Sequence, residues 1–140
     1  MTKWFIVFAV MCFASAGVRA EIINIDNAEL ARLSASGVKV IDVRTEGEWR
    51  SAGVVAGSKL LTFFDEEGHS NPPQWLGKVR MYARSDQPVI LICRSGNRSM
   101  VAARFLSDQS GYSTVYNVSK GIAGWTSDGR PVVPYAPQRD

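Results

Sequence analysis

Short apolar stretches alternate, along most of the chain, with segments whose apolar positions recur every three or four residues. The stretches are rich in β-branched residues, which is typical of strands, whereas the longer spacing is typical of helices that pack on one face. A helix is predicted after each strand. The five predicted strands are residues 22–25, 38–43, 58–63, 88–93 and 113–118.

Capping residues mark where several of these helices begin. Asp26 with Glu29, and Thr45 with Glu48, match the capping-box pattern, in which each side chain bonds the backbone of the other residue. Asn71, followed by two prolines, marks a third start because proline suits the first helical turn. The apolar side chains predicted on the packed face of that helix are Trp75, Val79 and Tyr82.

Alternation of strands and helices predicts an α/β fold with a mainly parallel five-stranded sheet, helices on both faces and right-handed crossovers. The strand "PVILIC" at 88–93 is apolar throughout, as expected of a strand buried on both sides, so we place it at the centre. Ligands of such sheets bind beyond the carboxyl ends of the strands. Cys93 ends the central strand, and the predicted site is therefore there.

The first twenty residues match a secretory signal peptide. Lys3 precedes an apolar stretch at 4–14, and the small residues Val18 and Ala20 occupy the −3 and −1 positions of a predicted cleavage site. The apolar stretch is shorter than the roughly 20 residues of a membrane span, although an uncleaved anchor stays open. We expect a periplasmic or otherwise exported protein in which residues 21–140 form a single domain.

Cleavage would change the charge and the cysteine count. The whole chain has 16 basic and 13 acidic side chains and a net charge of +3. The signal peptide holds Lys3 and Arg19 and no acid, which leaves 14 basic side chains and a net charge of +1. That balance argues against binding to nucleic acid or to an anionic membrane surface. Cys12 would also be lost, so Cys93 would remain alone and an internal disulfide is excluded.

Cys93 is followed by the loop "RSGN" and by Arg98 at the start of a helix. Gly96 allows the backbone to turn with positive φ, so that several N–H groups and the positive end of the helix dipole point at the sulfur. Arg94 and Arg98 add positive charge. These features favour thiolate over thiol and predict a nucleophilic cysteine rather than a buried structural one.

The same loop suits an anionic substrate, because arginine offers several donors in a fixed geometry. Two cations at a helix N-terminus are unfavourable for the helix, which indicates an anion between them. The spacing is C-x4-R, one residue shorter than the C-x5-R loop of cysteine phosphatases, so a phosphate would be poorly enclosed. One sulfur atom on Cys93 would fit. The polar loop at 65–73 is expected to form part of the pocket wall.

At these residues the chain resembles the rhodanese-like family of sulfurtransferases, in particular its small single-domain exported members. The segment "CRSGNRS" at 93–99 is similar to the family's six-residue active-site loop. The segment "IDVRTEGEW" at 41–49 resembles its first signature, and "GYSTVYNVSKGIAGW" at 111–125 resembles its closing signature. The resemblance covers roughly residues 26–125, and three motifs in the right order make it specific.

The resemblance implies sulfur transfer by double displacement. Cys93 would take the outer sulfur of thiosulfate or a similar donor as a persulfide, release sulfite, and pass the sulfur to cyanide or a thiol. Arg94 and Arg98 would hold the anionic donor. The amides expected around the persulfide are those of Arg94, Ser95, Gly96, Asn97 and Arg98. No metal or organic cofactor is implied, since the persulfide itself carries the sulfur.

Two positions depart from the family pattern. Where the first half of the family commonly has glycine, histidine and isoleucine, this chain has "AGV" at 52–54, so that histidine is missing. It is not the nucleophile, and its loss leaves the predicted chemistry intact. Lys120 precedes Gly121 where the closing signature usually has two glycines, which would add positive charge near the pocket.

Other polar and aromatic residues are interpreted as structural. Asp42 and Arg44 are predicted to form a strand-end ion pair or a cap rather than to act in catalysis, and Glu48 to act as a helix-cap partner. His69 is the only histidine; it is expected to be solvated, and we predict no metal site. The tail at 130–140 is expected to be extended. The tryptophans predicted in the core are Trp49, Trp75 and Trp125, the last flanking the pocket if the terminal helix packs there.

The residues alone leave two alternative functions open. A cysteine phosphatase or arsenate reductase would use a related loop, although the C-x4-R spacing argues against it. A sulfur- or anion-binding module without turnover would keep the fold, although Cys93 with both arginines argues against it. The sequence does not indicate the physiological donor and acceptor or the oligomeric state.

Overall fold

The computed structural model describes Thr2 and residues 20–137 of the chain. The predicted signal peptide at 1–20 therefore lies, apart from Thr2 and Ala20, outside the described residues, and Cys12 lies outside them as well. In the described part of the chain, no helix is both long enough and apolar enough to cross a lipid bilayer.

One five-stranded sheet organises the chain, and all of its strand pairs are parallel. The strands are β1 (Glu21–Ile25), β2 (Lys39–Asp42), β3 (Lys59–Leu60), β4 (Val89–Ile92) and β5 (Thr114–Val118). Their order across the sheet is β1-β5-β4-β2-β3, so β4 is central as predicted. Each crossover carries a helix, as parallel pairing requires, and the predicted α/β fold is confirmed.

Five α-helices accompany the sheet in the part of the chain that the structure describes. They are α1 (Asn27–Ala35), α2 (Glu46–Ala52), α3 (Pro72–Arg80), α4 (Asn97–Arg104) and α5 (Gly121–Ser127). The last turns of α4 continue as a π-helical segment, Phe105–Gln109. At the start of α1, Asp26 Oδ1 accepts the Glu29 N–H at 2.8 Å. The Glu29 carboxylate binds Arg32 instead of the backbone, so this predicted capping box is only half formed.

Alternate residues of the central strand point to opposite faces and create two apolar layers. Leu91 and Cys93 lie in the layer covered by α3 and α4, whereas Ile90 and Ile92 lie in the layer covered by α1 and α5. The helical side chains in the first layer include Trp75, Val79, Ala102 and Leu106. Those in the second include Leu30, Leu33, Ile122 and Trp125. Helices therefore cover both faces, as predicted.

The third strand is shorter than the predicted 58–63. After β3 the N–H groups of Leu61 and Phe63 still donate to the carbonyls of Asp42 and Val43, at 3.0 and 3.1 Å. Donors two residues apart meet acceptors that are adjacent in sequence, so the ladder loses its register. The prediction of a longer strand is wrong for this reason.

The predicted packed face of α3 is correct at Trp75 and Val79, which are buried, and wrong at Tyr82. The helix ends at Arg80, two residues before Tyr82, and Ala83 is the buried residue that follows it. Tyr82 is half-buried, and the ammonium group of Lys59 lies 5.1 Å from the centre of its ring.

The C-terminal segment at 130–137 packs against α2. Val133 pairs in antiparallel fashion with Val54 through N–H···O bonds of 2.8 and 2.9 Å. Further along, the ring of Tyr135 lies 5.7 Å from that of Trp49. The segment is therefore more than the extended tail that the sequence predicts, because it connects the end of α5 to α2.

Candidate active site

Cys93 directly follows β4, and its side chain is only 1% exposed. The loop after it turns at Gly96, whose φ is 95°, and α4 begins at the next residue. The Gly96 N–H donates to Cys93 Sγ at 3.1 Å, and Ser99 Oγ lies 3.2 Å from the same sulfur. A helix N-terminus and a loop amide therefore meet at this thiol.

Burial and hydrogen bonding act in opposite directions on the Cys93 thiol. Burial raises its pKa, because the thiolate loses solvation. The Ser99 hydroxyl, when it turns its proton to the sulfur, and the backbone N–H groups of Ser99, Ser95 and Gly96 lower the pKa, because they stabilise the charged form. The net result is a pKa of Cys93 below its ordinary value, which favours the nucleophilic form.

Two glycines allow the loop to pack tightly against the start of α5. A Cβ at Gly96 would lie 2.4 Å from a carbonyl oxygen just after β5, and one at Gly121 would lie 2.3 Å from the Arg94 carbonyl oxygen. Both glycines have positive φ. The Ile122 N–H donates to the Cys93 carbonyl at 2.9 Å, and the following N–H donates to the Arg94 carbonyl at 3.0 Å. The closing segment therefore fixes the shape of the loop.

Arg98 is bound by a carboxylate of its own chain. Its Nη1 and Nη2 donate to the two oxygens of Glu48 at 2.8 and 2.7 Å. Glu48 Oε2 also accepts the Thr45 N–H at 3.1 Å, so the predicted capping role of Glu48 is confirmed. The hydrogen bond from Arg98, which outweighs the effect of burial, lowers the pKa of Glu48 to about 2. Glu48 is thus the anion that Arg98 binds, and contact of Arg98 with a substrate stays a prediction.

Arg44 and Asp42 form a second ion pair, in the interior. Arg44 Nε and Nη2 donate to the Asp42 carboxylate at 3.0 and 2.8 Å, and Nη2 also donates to the Gly53 carbonyl at 2.8 Å. The two side chains are 1% and 0% exposed. The predicted strand-end ion pair is confirmed, and it also fastens the end of α2.

Two buried polar residues beside Cys93 were not predicted. Ser99 and Asn117 are 0% and 2% exposed, and Ser99 Oγ donates to Asn117 Oδ1 at 2.6 Å. A signal for them exists in the sequence. Asn117 is a polar residue inside the apolar fifth strand, and Ser99 lies in the first turn of the helix that starts at the loop.

Most of the sheet, the loop after Cys93 and the closing segment together lie within the match to one known family. The family described as "Rhodanese-like domain" matches residues 26–128. The chain belongs to the rhodanese-like domain family. The match includes all three segments that carried the resemblance in the sequence, and it confirms that resemblance.

Related rhodanese-like proteins cover most of the chain. A protein named sulfurtransferase from Allochromatium vinosum is 32% identical over 113 residues, which are 79% of this chain and 94% of that protein. Thiosulfate sulfurtransferase 18 from Arabidopsis thaliana is 27% identical over 116 residues, 80% of this chain and 84% of that protein. A crystal structure of an M. tuberculosis protein has a TM-score of 0.66 at 26% identity, covering 80% of this chain and 96% of that one. Family and names together support a sulfurtransferase in general.

A cavity of about 520 Å³ opens beside the active-site loop of this rhodanese-like domain. Arg94 lines it and, among the described residues, has no carboxylate within ion-pair distance. The walls come from α2 and α5 and include Glu48, Ser51, Thr126 and Ser127.

The loop at 65–73 does not line this cavity. Its last residues line a separate, more apolar cavity together with Phe64 and Phe105. The expectation that the loop forms a pocket wall is therefore wrong for the cavity beside Arg94, although Glu66 of this loop approaches α2 at Gly47.

The remaining candidates lie away from the sulfur or in the core. Trp125 is buried although α5 borders the cavity, and its Nε1 donates to the Pro131 carbonyl at 2.8 Å. The core positions predicted for the three tryptophans are therefore confirmed. Lys120 is exposed at the start of α5, and His69 is exposed in its loop.

Proposed function

We propose that the protein is a sulfurtransferase that moves a sulfane sulfur from thiosulfate or a similar anionic donor to cyanide or a thiol. The observation that carries this proposal is the environment of Cys93 Sγ, which accepts the Gly96 N–H at 3.1 Å and lies 3.2 Å from Ser99 Oγ. A thiolate stabilised in this way acts as a nucleophile without a histidine base. The names of the relatives support the same chemistry.

The proposed reaction has two displacements at one sulfur atom. In the first, the Cys93 thiolate attacks the outer sulfur of thiosulfate. The new Sγ–S bond forms as the S–S bond of the donor breaks, and sulfite leaves with the bonding electron pair. In the second, cyanide attacks the outer sulfur of the persulfide, thiocyanate leaves, and the Cys93 thiolate is restored with the electron pair of the broken Sγ–S bond.

Arg94 is the proposed partner of the donor's negative charge, because it lines the cavity and its guanidinium is available. The loop amides are proposed to surround the transferred sulfur; they belong to Arg94, Ser95, Gly96, Asn97 and Arg98. Arg98 contributes positive charge while its own hydrogen bonds go to Glu48. The proposed substrates are therefore a small anionic sulfur donor and a thiol or cyanide acceptor, without a cofactor.

Mass spectrometry of the mature protein after incubation with thiosulfate tests this proposal. We expect a gain of one sulfur, roughly 32 Da, that a reductant or cyanide removes, because a persulfide is displaced by either nucleophile. The matched control is Cys93→Ser, which retains the size of the side chain and should gain nothing.

Three outcomes would change the assignment. An unmodified wild-type protein, or an equal gain of mass in Cys93→Ser, contradicts the assignment of Cys93 as the nucleophile. A stable adduct that is never passed to cyanide or a thiol indicates a sulfur carrier or binding module. Hydrolysis of p-nitrophenyl phosphate that depends on Cys93 indicates a phosphatase.

We propose in addition that the protein is exported. The support is the signal-peptide pattern of residues 1–20, together with the position of β1, whose first residue, Glu21, directly follows the predicted cleavage site. Cleavage there would leave the pairing of Glu21 with Thr114 in place. N-terminal sequencing of protein recovered from the periplasm should begin at Glu21; recovery of the full-length chain from the cytoplasm alone would contradict export.

A further inference from the structure

A chain of hydrogen-bonded polar groups leads from Cys93 through the buried Ser99 and Asn117 to the exposed Asn24. Ser99 on α4 lies 3.2 Å from Cys93 Sγ and 2.6 Å from Asn117 Oδ1 on β5. Asn117 Nδ2 in turn donates to Asn24 Oδ1 on β1 at 3.0 Å. Polar residues inside such apolar layers are retained only with their hydrogen bonds satisfied. The requirement that each of these groups is satisfied determines which of them are hydrogen-bond donors and which are acceptors.

The direction of each hydrogen bond follows from the Asn117 amide. Its Nδ2 donates to Asn24 and, at 3.4 Å, to the Gly96 carbonyl, so the atom that faces Ser99 is the oxygen. An amide oxygen only accepts, and the single hydroxyl proton of Ser99 must therefore point at Asn117. Cys93 Sγ consequently faces a lone pair of Ser99 Oγ, and a Cys93 thiol donates its S–H to that oxygen.

The thiolate differs from the thiol because it has no proton to donate to Ser99. Ser99 stabilises it only when the hydroxyl turns from Asn117 to the sulfur. That rotation leaves Asn117 Oδ1 unpaired in a buried site, which costs free energy. In the persulfide, Sγ is bonded to two atoms and carries no charge, so Ser99 keeps its bond to Asn117.

We propose that Asn117 is a positioning residue that holds the Ser99 proton away from Cys93 and so sets the balance between the charged sulfur and its thiol or persulfide forms. The proposal rests on the proposed function where it concerns the persulfide. When cyanide attacks the outer sulfur, the Sγ–S bond breaks, the electron pair stays on Sγ, and thiocyanate leaves. Ser99 then reorients its hydrogen bond without giving up its proton. Asn117 thus slows sulfur release.

The other charged groups around the loop stay unchanged in the test below. They are Arg94 in the loop, Arg98 on α4 with Glu48 on α2, and Asp42 at the end of β2 with Arg44. Both acids are held in ion pairs. The alkylation experiment below therefore follows the protonation of the Cys93 thiol.

The test is a double-mutant cycle with the pH dependence of Cys93 alkylation by iodoacetamide as its readout. Asn117→Leu removes the acceptor and frees Ser99 to donate to sulfur, so the midpoint should fall by about one pH unit. Ser99→Ala should raise the midpoint. In the double variant, Asn117→Leu should have no further effect, because no hydroxyl is left to redirect. Val115→Ala, which loosens the same strand, is the matched control and should leave the midpoint unchanged.

A second variant covers the case in which Asn117→Leu does not fold. Asn24 is exposed, and Asn24→Ala removes the acceptor that orients the Asn117 amide. The freed amide can turn its nitrogen towards Ser99, so the midpoint should fall in the same direction by a smaller amount. The rate of sulfur release from a preformed persulfide to cyanide should rise in both variants.

An unchanged midpoint in Asn117→Leu and Asn24→Ala would overturn the proposal. An equal shift with and without Ser99 would overturn it as well, because it would indicate general loosening of the loop. The alkylation readout uses no sulfur donor. Failure of thiosulfate to modify the wild type would therefore contradict the proposed function alone, and the cycle would still decide the role of Asn117.

Discussion

Two arginine–carboxylate pairs at the carboxyl end of the sheet have the same chemistry in different surroundings. Arg44 and Asp42 are almost completely buried, at 1% and 0% exposure, and are two residues apart in sequence. Arg98 and Glu48 are 29% and 28% exposed, and they connect α4 to α2 across 50 positions. Both pairs are held by at least two hydrogen bonds.

The difference in burial separates a structural pair from one that a substrate can reach. Removing one member of a buried pair leaves a charge without solvent or partner, which is strongly destabilising. A partly exposed pair is screened by water, and either member can exchange its partner at low cost. The cavity beside Arg94 is lined by Glu48 from one pair and by Arg44 from the other. The Glu48 side chain is 28% exposed and that of Arg44 only 1%, so an anion that enters meets mainly Glu48.

The largest expected effect comes from breaking the buried pair. Asp42→Ala leaves the Arg44 guanidinium buried without its carboxylate, and we expect a loss of about 3–5 kcal/mol in the free energy of unfolding. Urea denaturation measures it. The matched control is Asp86→Ala, which breaks the exposed pair with Arg84 and should cost less than about 1 kcal/mol. Similar losses in both variants would contradict the distinction.

The next effect separates the two arginines of the loop. Arg94→Gln should raise the KM for thiosulfate about tenfold, because a hydrogen bond to a charged group is lost. Arg98→Gln should raise it less, since Glu48 already holds that guanidinium. Arg104→Gln, at the far end of α4, should leave KM unchanged. Steady-state kinetics with cyanide as acceptor provides the measurement, and equal effects at positions 94 and 98 would show that both arginines bind the donor directly.

Releasing the partly exposed pair should have the opposite effect on binding. Glu48→Gln removes a negative charge from the cavity wall and frees Arg98, so we expect the KM for thiosulfate to fall roughly threefold, with less than about 1 kcal/mol of lost stability. Glu46→Gln, on the same helix but absent from the cavity lining, is the matched control. A higher KM in Glu48→Gln would mean that the pair is needed intact.

The smallest effect is a dependence of stability on pH. Folding lowers the pKa of Glu48 from its ordinary 4.5 to about 2, mainly through the hydrogen bond from Arg98. The stabilisation is complete above pH 4.5 and is lost as the pH falls from there through about 2. Urea midpoints measured over this range should fall less steeply in Glu48→Gln than in the wild type. Equal slopes would contradict the claim that the lowered pKa of Glu48 contributes to the pH dependence of stability.

The parts of the fold that follow from local patterns could be predicted from the sequence. The apolar run of β4 indicates its central position, and that position delivers Cys93 to the end of the sheet where ligands bind. The pair of Asp42 and Arg44 is equally local, because residues two apart on a strand end share one side. Gly96 could be assigned to a turn because the loop needs positive φ there.

Contacts that depend on how elements pack could not be predicted in this way. The partner of Arg98 is 50 residues away, and nothing in the composition of α2 indicates which face of it meets α4. The bond between Ser99 and Asn117 depends on the spacing between α4 and β5. The early end of β3 depends on a one-residue change of register, which the apolar pattern at 58–63 does not contain.

The tight fit of Gly121 against the loop sets an order of events during synthesis. The carbonyl oxygens of Cys93 and Arg94 are held by N–H groups at the start of α5, which leave the ribosome about thirty residues later than the cysteine. Until that segment docks, the loop lacks the hydrogen bonds to these two carbonyls. The final shape of the loop around the thiol is therefore complete only once α5 has packed against it.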